Sequence, residues 1–181
     1  MIKGLCGIDE AGRGPWAGPM TIAGVKLHKD ISELNDSKKL SEKKREFLYD
    51  IIIKNSSYHI VSIPNNTIDK LGLTACLKNA IEEIMQNIDA SSYLMDGNTS
   101  FGIETLEHKI KADASVFEVS AASILAKVTR DRYMIEIAKK YPNYSFEKHK
   151  GYGTKAHKEA ILEHGFCEIH RLSYNIKGIN C

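Results

Sequence analysis

The sequence predicts a layered fold of the α/β or α+β kind, one sheet with helices on its faces. Two observations carry that prediction. Strand-like segments come early and adjacent, and then alternate with helical ones. The 181 residues, 43% hydrophobic and 27% charged, suit a single domain over 1–181 with its own core.

Taken in order, Leu5 to Ile8 is a short apolar run that reads as a buried strand, and it ends on the adjacent carboxylates Asp9 and Glu10. Gly12, Gly14, Pro15, Gly18 and Pro19 follow, a loop no regular element tolerates. Thr21 to Leu27 is β-branched and apolar, so it is expected to hairpin back onto the first strand. Ser41 fits the N-cap of a helix running to Asn55, with Leu40 as staple. Tyr58 to Ile63 reads as a strand stopped by Pro64, and Thr67 to Asn87 as one long amphipathic helix. Ser92 to Met95 is a short strand ending on Asp96, and His108 to Ala112 another ending on Asp113. A helix is expected from Ser115 to Lys140, closed by Pro142, and a last one from a Thr154 cap to Gly165.

Composition narrows the class. The four cysteines, Cys6, Cys76, Cys167 and Cys181, are widely spaced and hold no C-x-x-C pair, so neither a disulfide framework nor a four-cysteine zinc module is expected. Free thiols in a reducing cytoplasm are the better reading. Asp9 and Glu10 interrupt the first apolar run before a secretory core can form, and no window is long enough to span a membrane. The net charge is only +2, but residues 127–158 carry nine Lys or Arg against three acids, a half that should attract polyanions.

Three predicted strands thus end on acids, and in open α/β sheets sites form at the carboxyl ends of strands. Neighbouring residues of an ideal strand point to opposite faces, so Asp9 and Glu10 can share a site only if Glu10 already lies in the twisted turn. Two carboxylates about 4 Å apart repel by roughly 4 kcal/mol at an effective dielectric of about 20. Divalent cations remove that repulsion, and an all-oxygen donor set favours Mg²⁺ or Mn²⁺ over zinc. Two such ions suit phosphodiester hydrolysis. Any one strand-end acid alone is better read as solvated or as a helix cap, Asp113 included; their combination with the glycine loop and the basic half shifts the balance.

Gly7-Ile8-Asp9-Glu10-Ala11-Gly12-Arg13-Gly14-Pro15 resembles the signature that opens the bacterial type 2 ribonucleases H. Asn35-Asp36-Ser37-Lys38, Met95-Asp96-Gly97, Ala121-Ala122-Ser123-Ile124-Leu125-Ala126-Lys127 with Arg130-Asp131-Arg132, and His149-Lys150-Gly151-Tyr152 fit the same family in the same order. The resemblance implies a ribonuclease H-like fold, a mixed central sheet flanked by helices. It also implies metal-dependent endonucleolytic cleavage of RNA in RNA–DNA hybrids and at single ribonucleotides in duplex DNA, leaving 5′-phosphate and 3′-hydroxyl ends. The four metal-binding, catalytic acids it implies are Asp9, Glu10, Asp96 and Asp113, holding two Mg²⁺ or Mn²⁺ ions with Asp9 bridging. Asp113 is preferred to Asp131 because the family's fourth acid lies ten residues before the serine of the A-A-S motif, here Ser123. Asp131 is then structural, paired with a neighbouring arginine. Gly12, Arg13 and Gly14 are implied to read the ribose 2′-hydroxyl, Tyr152 to stack on the sugar after the ribonucleotide, and Lys38 to contact phosphate. Ala112-Asp113-Ala114-Ser115 departs from the Gly-Asp and nearby lysine of many bacterial members.

Partners follow: RNA–DNA hybrid and ribonucleotide-containing duplex, no membrane, and a monomer in the cytoplasm. Gly12-Arg13-Gly14-Pro15-Trp16-Ala17 also fits a dinucleotide fingerprint, but it leads into a strand where that fingerprint must open a helix. His157, His164, Cys167 and His170 match no familiar zinc spacing and read as solvent-facing, while His149 reads as part of a phosphate-facing loop. Trp16 is equally well a base-stacking residue or a packing plug. Two rivals remain, a non-catalytic nucleic-acid-binding module and a metal-dependent phosphatase or nuclease with another substrate. The whole reading requires oxygen ligands from positions 9, 10, 96 and 113 to meet in one pocket.

Overall fold

The structure, a computed structural model, describes residues 1–34 and 40–179, so Lys38 and its motif lie outside the described residues. Five strands build one mixed sheet in the order β3-β2-β1-β4-β5. They are β1 Leu5–Ala11, β2 Met20–Leu27, β3 Ser56–Ile63, β4 Ser92–Asp96 and β5 Leu106–Lys109. The helices are α1 Glu42–Lys54, α2 Asn65–Leu71, α3 Leu73–Asn87, α4 Phe117–Ala138, α5 Phe146–His149 and α6 Lys155–His164. β1 and β2 form the expected antiparallel hairpin, β2 pairs antiparallel with β3, and β1-β4-β5 run parallel. Parallel strands put their carboxyl ends at one edge, so Asp9, Glu10 and Asp96 share an edge for a topological reason.

Alternation along β1 divides the core. Cys6 and Ile8 point to one face, where Met20, Ile22 and Met95 meet Leu77, Ile81 and Ile84 of α3. On the other face Ala23 and Val25 pack against Leu48 and Ile52 of α1 and Ala121, Ala122 and Leu125 of α4. Each large apolar side chain so buried is worth roughly 1.5–3 kcal/mol. Ile8 and Met95 alone therefore offset the repulsion of one carboxylate pair, and the sheet can hold its acids in place.

Helix α4 lies along β1 like a ruler. At Gly7 a Cβ would fall 2.2 Å from the Val119 amide nitrogen, so the helix backbone sits directly on the strand. Further along, the same construction meets Arg130 at Gly12 and Met134 at Gly18. Strand residues advance about 3.3 Å each and helix residues 1.5 Å. Four helix residues thus match two strand residues, which sets Ser123 beside Asp9.

Three expectations change. The long helix over Thr67–Asn87 is two helices, α2 and α3, because Gly72 takes φ 79° and ψ 158°, a conformation only glycine adopts easily. The last strand is β5 at Leu106–Lys109, and Asp113 stands not at its end but in the 3₁₀ turn Ala112–Ala114. Glu10 remains within β1, paired with Ile22, and does not lie in the turn. The Ser41 and Thr154 caps are as expected, their hydroxyls accepting from the Lys44 and His157 amides at 3.2 Å. Among the described residues no helix is long and apolar enough to cross a membrane.

Candidate active site

The Asp9 carboxyl is buried, accepts the Glu10 amide at 2.8 Å, and is hydrogen-bonded to Ser123 of α4. Burial, reinforced by the Glu10 and Asp96 carboxylates, pushes it up to about 8. The Glu10 carboxyl is also raised, chiefly by burial and against the pull of the Arg13 guanidinium. Arg13 Nη1 donates to Glu10 Oε1 at 3.0 Å, while the buried Glu10 Oε2 has no partner. Although adjacent in one strand, both acids feel Asp96. The last rung on the β4 side of β1 is Ile8–Met95, so beyond it no paired strand separates Glu10 from that side.

Asp96 brings the fourth acid to the same edge. Its Oδ1 accepts the Ala112 amide at 2.9 Å and so ties the turn that carries Asp113 to the end of β4. Two adjoining cavities result. One of about 160 Å³ is lined by Asp113, Arg45, Ser120, Ser123, Ile124 and Lys127. The other, about 320 Å³, is lined by Glu10, Ala11, Gly12, Arg13, Gly14, Ser123, Lys127 and Tyr152. Ser123 and Lys127, one helical turn apart on α4, face both, and Ser123 also bonds Asp9.

Glu10 and Asp113 line these cavities, while Asp9 adjoins them through Ser123 and Asp96 through the Ala112 amide, and the four do not form a closed ligand shell. Among the described residues no three His, Cys, Asp or Glu side chains are grouped so as to hold a metal ion. The chemistry of the donors nevertheless fits a hard divalent cation. All are oxygens, one is buried without a partner, and another is raised to about 8 by excess negative charge and desolvation.

The remaining predicted residues divide cleanly. Gly12, Arg13, Gly14 and Tyr152 line the larger cavity, with the Tyr152 ring 5.6 Å from the Arg130 guanidinium. Gly12 (φ 97°) needs its hydrogen, since a Cβ there would lie 2.2 Å from Arg130 Nε. At Gly14 a Cβ would meet nothing within 4 Å, so the space over it is open. Asp131 is structural as expected, but its partner is Lys127 at 2.8 Å, not an arginine. Arg130 instead donates to backbone carbonyls and Arg132 to Glu46. Trp16 is a plug packed on Gly153 and the His157 ring.

His157 and His170 are buried, not solvent-facing, and burial holds both near pKa 4, hence neutral. His157 Nδ1 donates to the Tyr152 carbonyl at 2.9 Å, so its Nε2 accepts from His170 Nε2 at 3.1 Å, and His170 Nδ1 accepts the Cys167 amide at 2.8 Å. His149 faces inward too, stacked on His157 and bonded to the Tyr144 carbonyl and the Gly151 amide. This relay fixes the turn that presents Tyr152. Sequence reasoning assigned no role to Ser123, Lys127 or Arg171, and read Arg45 only as part of a solvated helix face, whereas it lines the smaller cavity. For the first two a signal existed, their i, i+4 spacing on the helix that lies along β1.

Carboxylates gathered at parallel strand ends, with cations and a glycine loop around adjoining cavities, are the layout of a metal-dependent nuclease. The sequence model of the family Ribonuclease HII matches residues 6–177. The chain is 59% identical over 180 residues to the ribonuclease HII of Aliarcobacter butzleri, covering 98% of this chain and 94% of the relative. It is 56% identical over 178 residues to that of a Sulfurovum strain, covering 98% and 95%. Its fold is similar to the structure of the PCNA:RNase HII complex from Archaeoglobus fulgidus, with TM-score 0.82, 25% identity, and 96% of each chain covered. The chain belongs to the bacterial ribonuclease HII family. It is a ribonuclease H, a metal-dependent endonuclease acting on RNA in RNA–DNA hybrids.

Proposed function

We propose that this enzyme hydrolyses RNA in RNA–DNA hybrids and also incises duplex DNA beside single embedded ribonucleotides, with Asp9, Glu10, Asp96 and Asp113 as its catalytic acids. The observation that carries this is the crowding of carboxyls at the sheet edge, where burial and the neighbouring acids raise Asp9 to about 8 next to a partnerless Glu10 oxygen. Asp9, Glu10, Asp96 and Asp113 would hold two Mg²⁺ or Mn²⁺ ions, whose chemistry would be water activation and charge stabilisation in a hydrolysis that leaves 5′-phosphate and 3′-hydroxyl ends.

The chain's own groups do the rest. Ser123 orients the Asp9 carboxyl through its hydrogen bond. Lys127 and Arg45 offer positive charge to a phosphate in the smaller cavity, beside Asp113. Gly14 leaves room for a sugar edge to approach the backbone of residues 12–14, where the 2′-hydroxyl is read. Tyr152, half exposed and stiffened by the histidine relay, offers a ring face to the following sugar. Lys38 contacts phosphate in the same reading.

One five-stranded sheet carries the strand-end acids, which supports one catalytic domain, and a monomer belongs to the same reading. The free thiols of Cys6, Cys76 and Cys167 support a cytoplasmic location. The test compares the unaltered enzyme with Asp9→Asn on a duplex carrying one ribonucleotide, with and without Mg²⁺ or Mn²⁺. Incision is expected only from the unaltered enzyme with metal. Equal cleavage of all-DNA duplex would overturn the ribose-reading role of the loop.

A further inference from the structure

Arg171 is fully buried with no carboxylate bonded to it, and all five of its N–H donors are used. Nε and Nη2 donate to the Gly18 carbonyl at 3.0 and 2.9 Å, and Nη2 also to the Gly12 carbonyl at 2.7 Å. Nη1 donates to the Arg13 carbonyl at 3.1 Å and to the Tyr174 hydroxyl at 2.8 Å. That hydroxyl in turn donates to the Arg13 carbonyl at 2.5 Å. The backbone around Arg171 is tied to the same loop, its amide to the Trp16 carbonyl and the Ile169 carbonyl to the Gly18 amide, both at 2.8 Å.

A guanidinium spending four of its five donors on one loop is an expensive way merely to fill space, since burial opposes its charge. Its effect is directional. The peptide bonds of the described residues are trans, and in a trans peptide the N–H points opposite to the C=O. Drawing the Gly12 and Arg13 carbonyls onto Arg171 therefore turns the amides of Arg13 and Gly14 the other way, towards the cavity that these residues line.

We propose that Arg171, steadied by Tyr174, is a positioning residue for ribose recognition: it holds two carbonyls back so that two amides face the 2′-hydroxyl and its phosphate. The inference rests on the ribose-reading role proposed above for residues 12–14. Arg171 touches no substrate and acts through the backbone of that loop. Arg130, donating to the Ala17 and Pro19 carbonyls at 3.1 and 2.9 Å, anchors the far end of the loop in the same manner.

The test uses Arg171→Lys, which keeps the charge but not the fork, and Tyr174→Phe, which removes only the hydroxyl. Dissociation constants are measured by fluorescence anisotropy for a duplex with one ribonucleotide and for its all-DNA counterpart. Ca²⁺ serves as the divalent ion, in conditions checked to be free of cleavage. The expected result is that the preference for the ribonucleotide duplex falls about fivefold or more in Arg171→Lys, the size of a lost hydrogen bond, and less in Tyr174→Phe. Affinity for all-DNA duplex stays unchanged in both, and both melt cooperatively. Folded variants with undiminished preference, or with affinity lost equally for both duplexes, overturn the proposal. Should Arg171→Lys fail to fold, Tyr174→Phe decides by the same criterion. An unaltered enzyme with no preference at all would sink the ribose-reading role itself, whereas preference in that enzyme and unaffected variants would sink only the part given to Arg171.

Discussion

The acid edge of the sheet and the arginine–histidine cluster behind the glycine loop both bury polar groups, but they satisfy them in opposite ways. At the acid edge Glu10 Oε2 and Ser120 Oγ have no partner, and Asp9 is driven to about 8. Behind the loop Arg171 spends all its donors, and His149, His157 and His170 each use both ring nitrogens. Burying an unpaired polar group costs stability, so a fold keeps one only where something else completes it. The first region is the one proposed above to receive ions and phosphate. In the second, Arg171 and the three histidines are fully paired, Arg130 Nη1 is left unpaired, and the cluster serves to hold the first.

The sharpest way to break that contrast is Asp9→Asn. Cleavage should fall by about a thousandfold or more, roughly 4 kcal/mol of transition-state stabilisation, in a single-turnover assay with Mg²⁺. The melting temperature should hold or rise, because the exchange removes a carboxyl whose ionisation burial opposes. A large loss of stability would mean that the acid is architectural.

The two loop glycines test the contrast at closer range. Gly12→Ala should destabilise by about 1–3 kcal/mol through its positive φ alone, and by more as Arg130 is displaced. Gly14→Ala should change stability by less than about 0.5 kcal/mol yet still weaken cleavage. Denaturant unfolding together with kcat and KM on one substrate separates the two effects.

The histidine pair yields a pH dependence. His157 and His170 are held near pKa 4 against an ordinary 6.5, so the unfolded chain binds more protons between those values. Their contribution to stability is therefore complete above pH 6.5 and lost as pH falls towards 4. The groups facing the pair are His149, Cys167 and Tyr144, none of them a carboxylate. Melting temperatures from pH 7.5 down to 4.5 should fall less steeply in His157→Gln than in the unaltered enzyme. A parallel decline would show that the protons are taken up elsewhere.

The smallest effect expected is that of Lys127→Ala. Removing one phosphate contact should lower the salt dependence of duplex binding by about one unit of logarithmic slope. Loss of its ion pair with Asp131 should cost less than about 1 kcal/mol, since Lys127 is partly exposed.

Much of this molecule was legible in its residues alone. The hairpin of β1 and β2, the Ser41 and Thr154 caps, the ribonuclease H-like fold and the ribonuclease HII family could all be read without coordinates. Each of these rests on patterns that are local in the chain or on motifs in fixed order. What the tertiary structure decided involves partners distant in sequence. Asp96 reaches the Ala112 amide and draws in the turn of Asp113, Ser123 reaches Asp9, and Arg171 grips carbonyls more than 150 residues earlier. The break at Gly72 and the inward turn of His157 and His170 belong to the same class, because backbone conformation and burial at those positions are set by what packs against them. A side chain's chemical type is written in the sequence, but whether its polar atoms end paired or unpaired depends on which remote groups the fold brings to it.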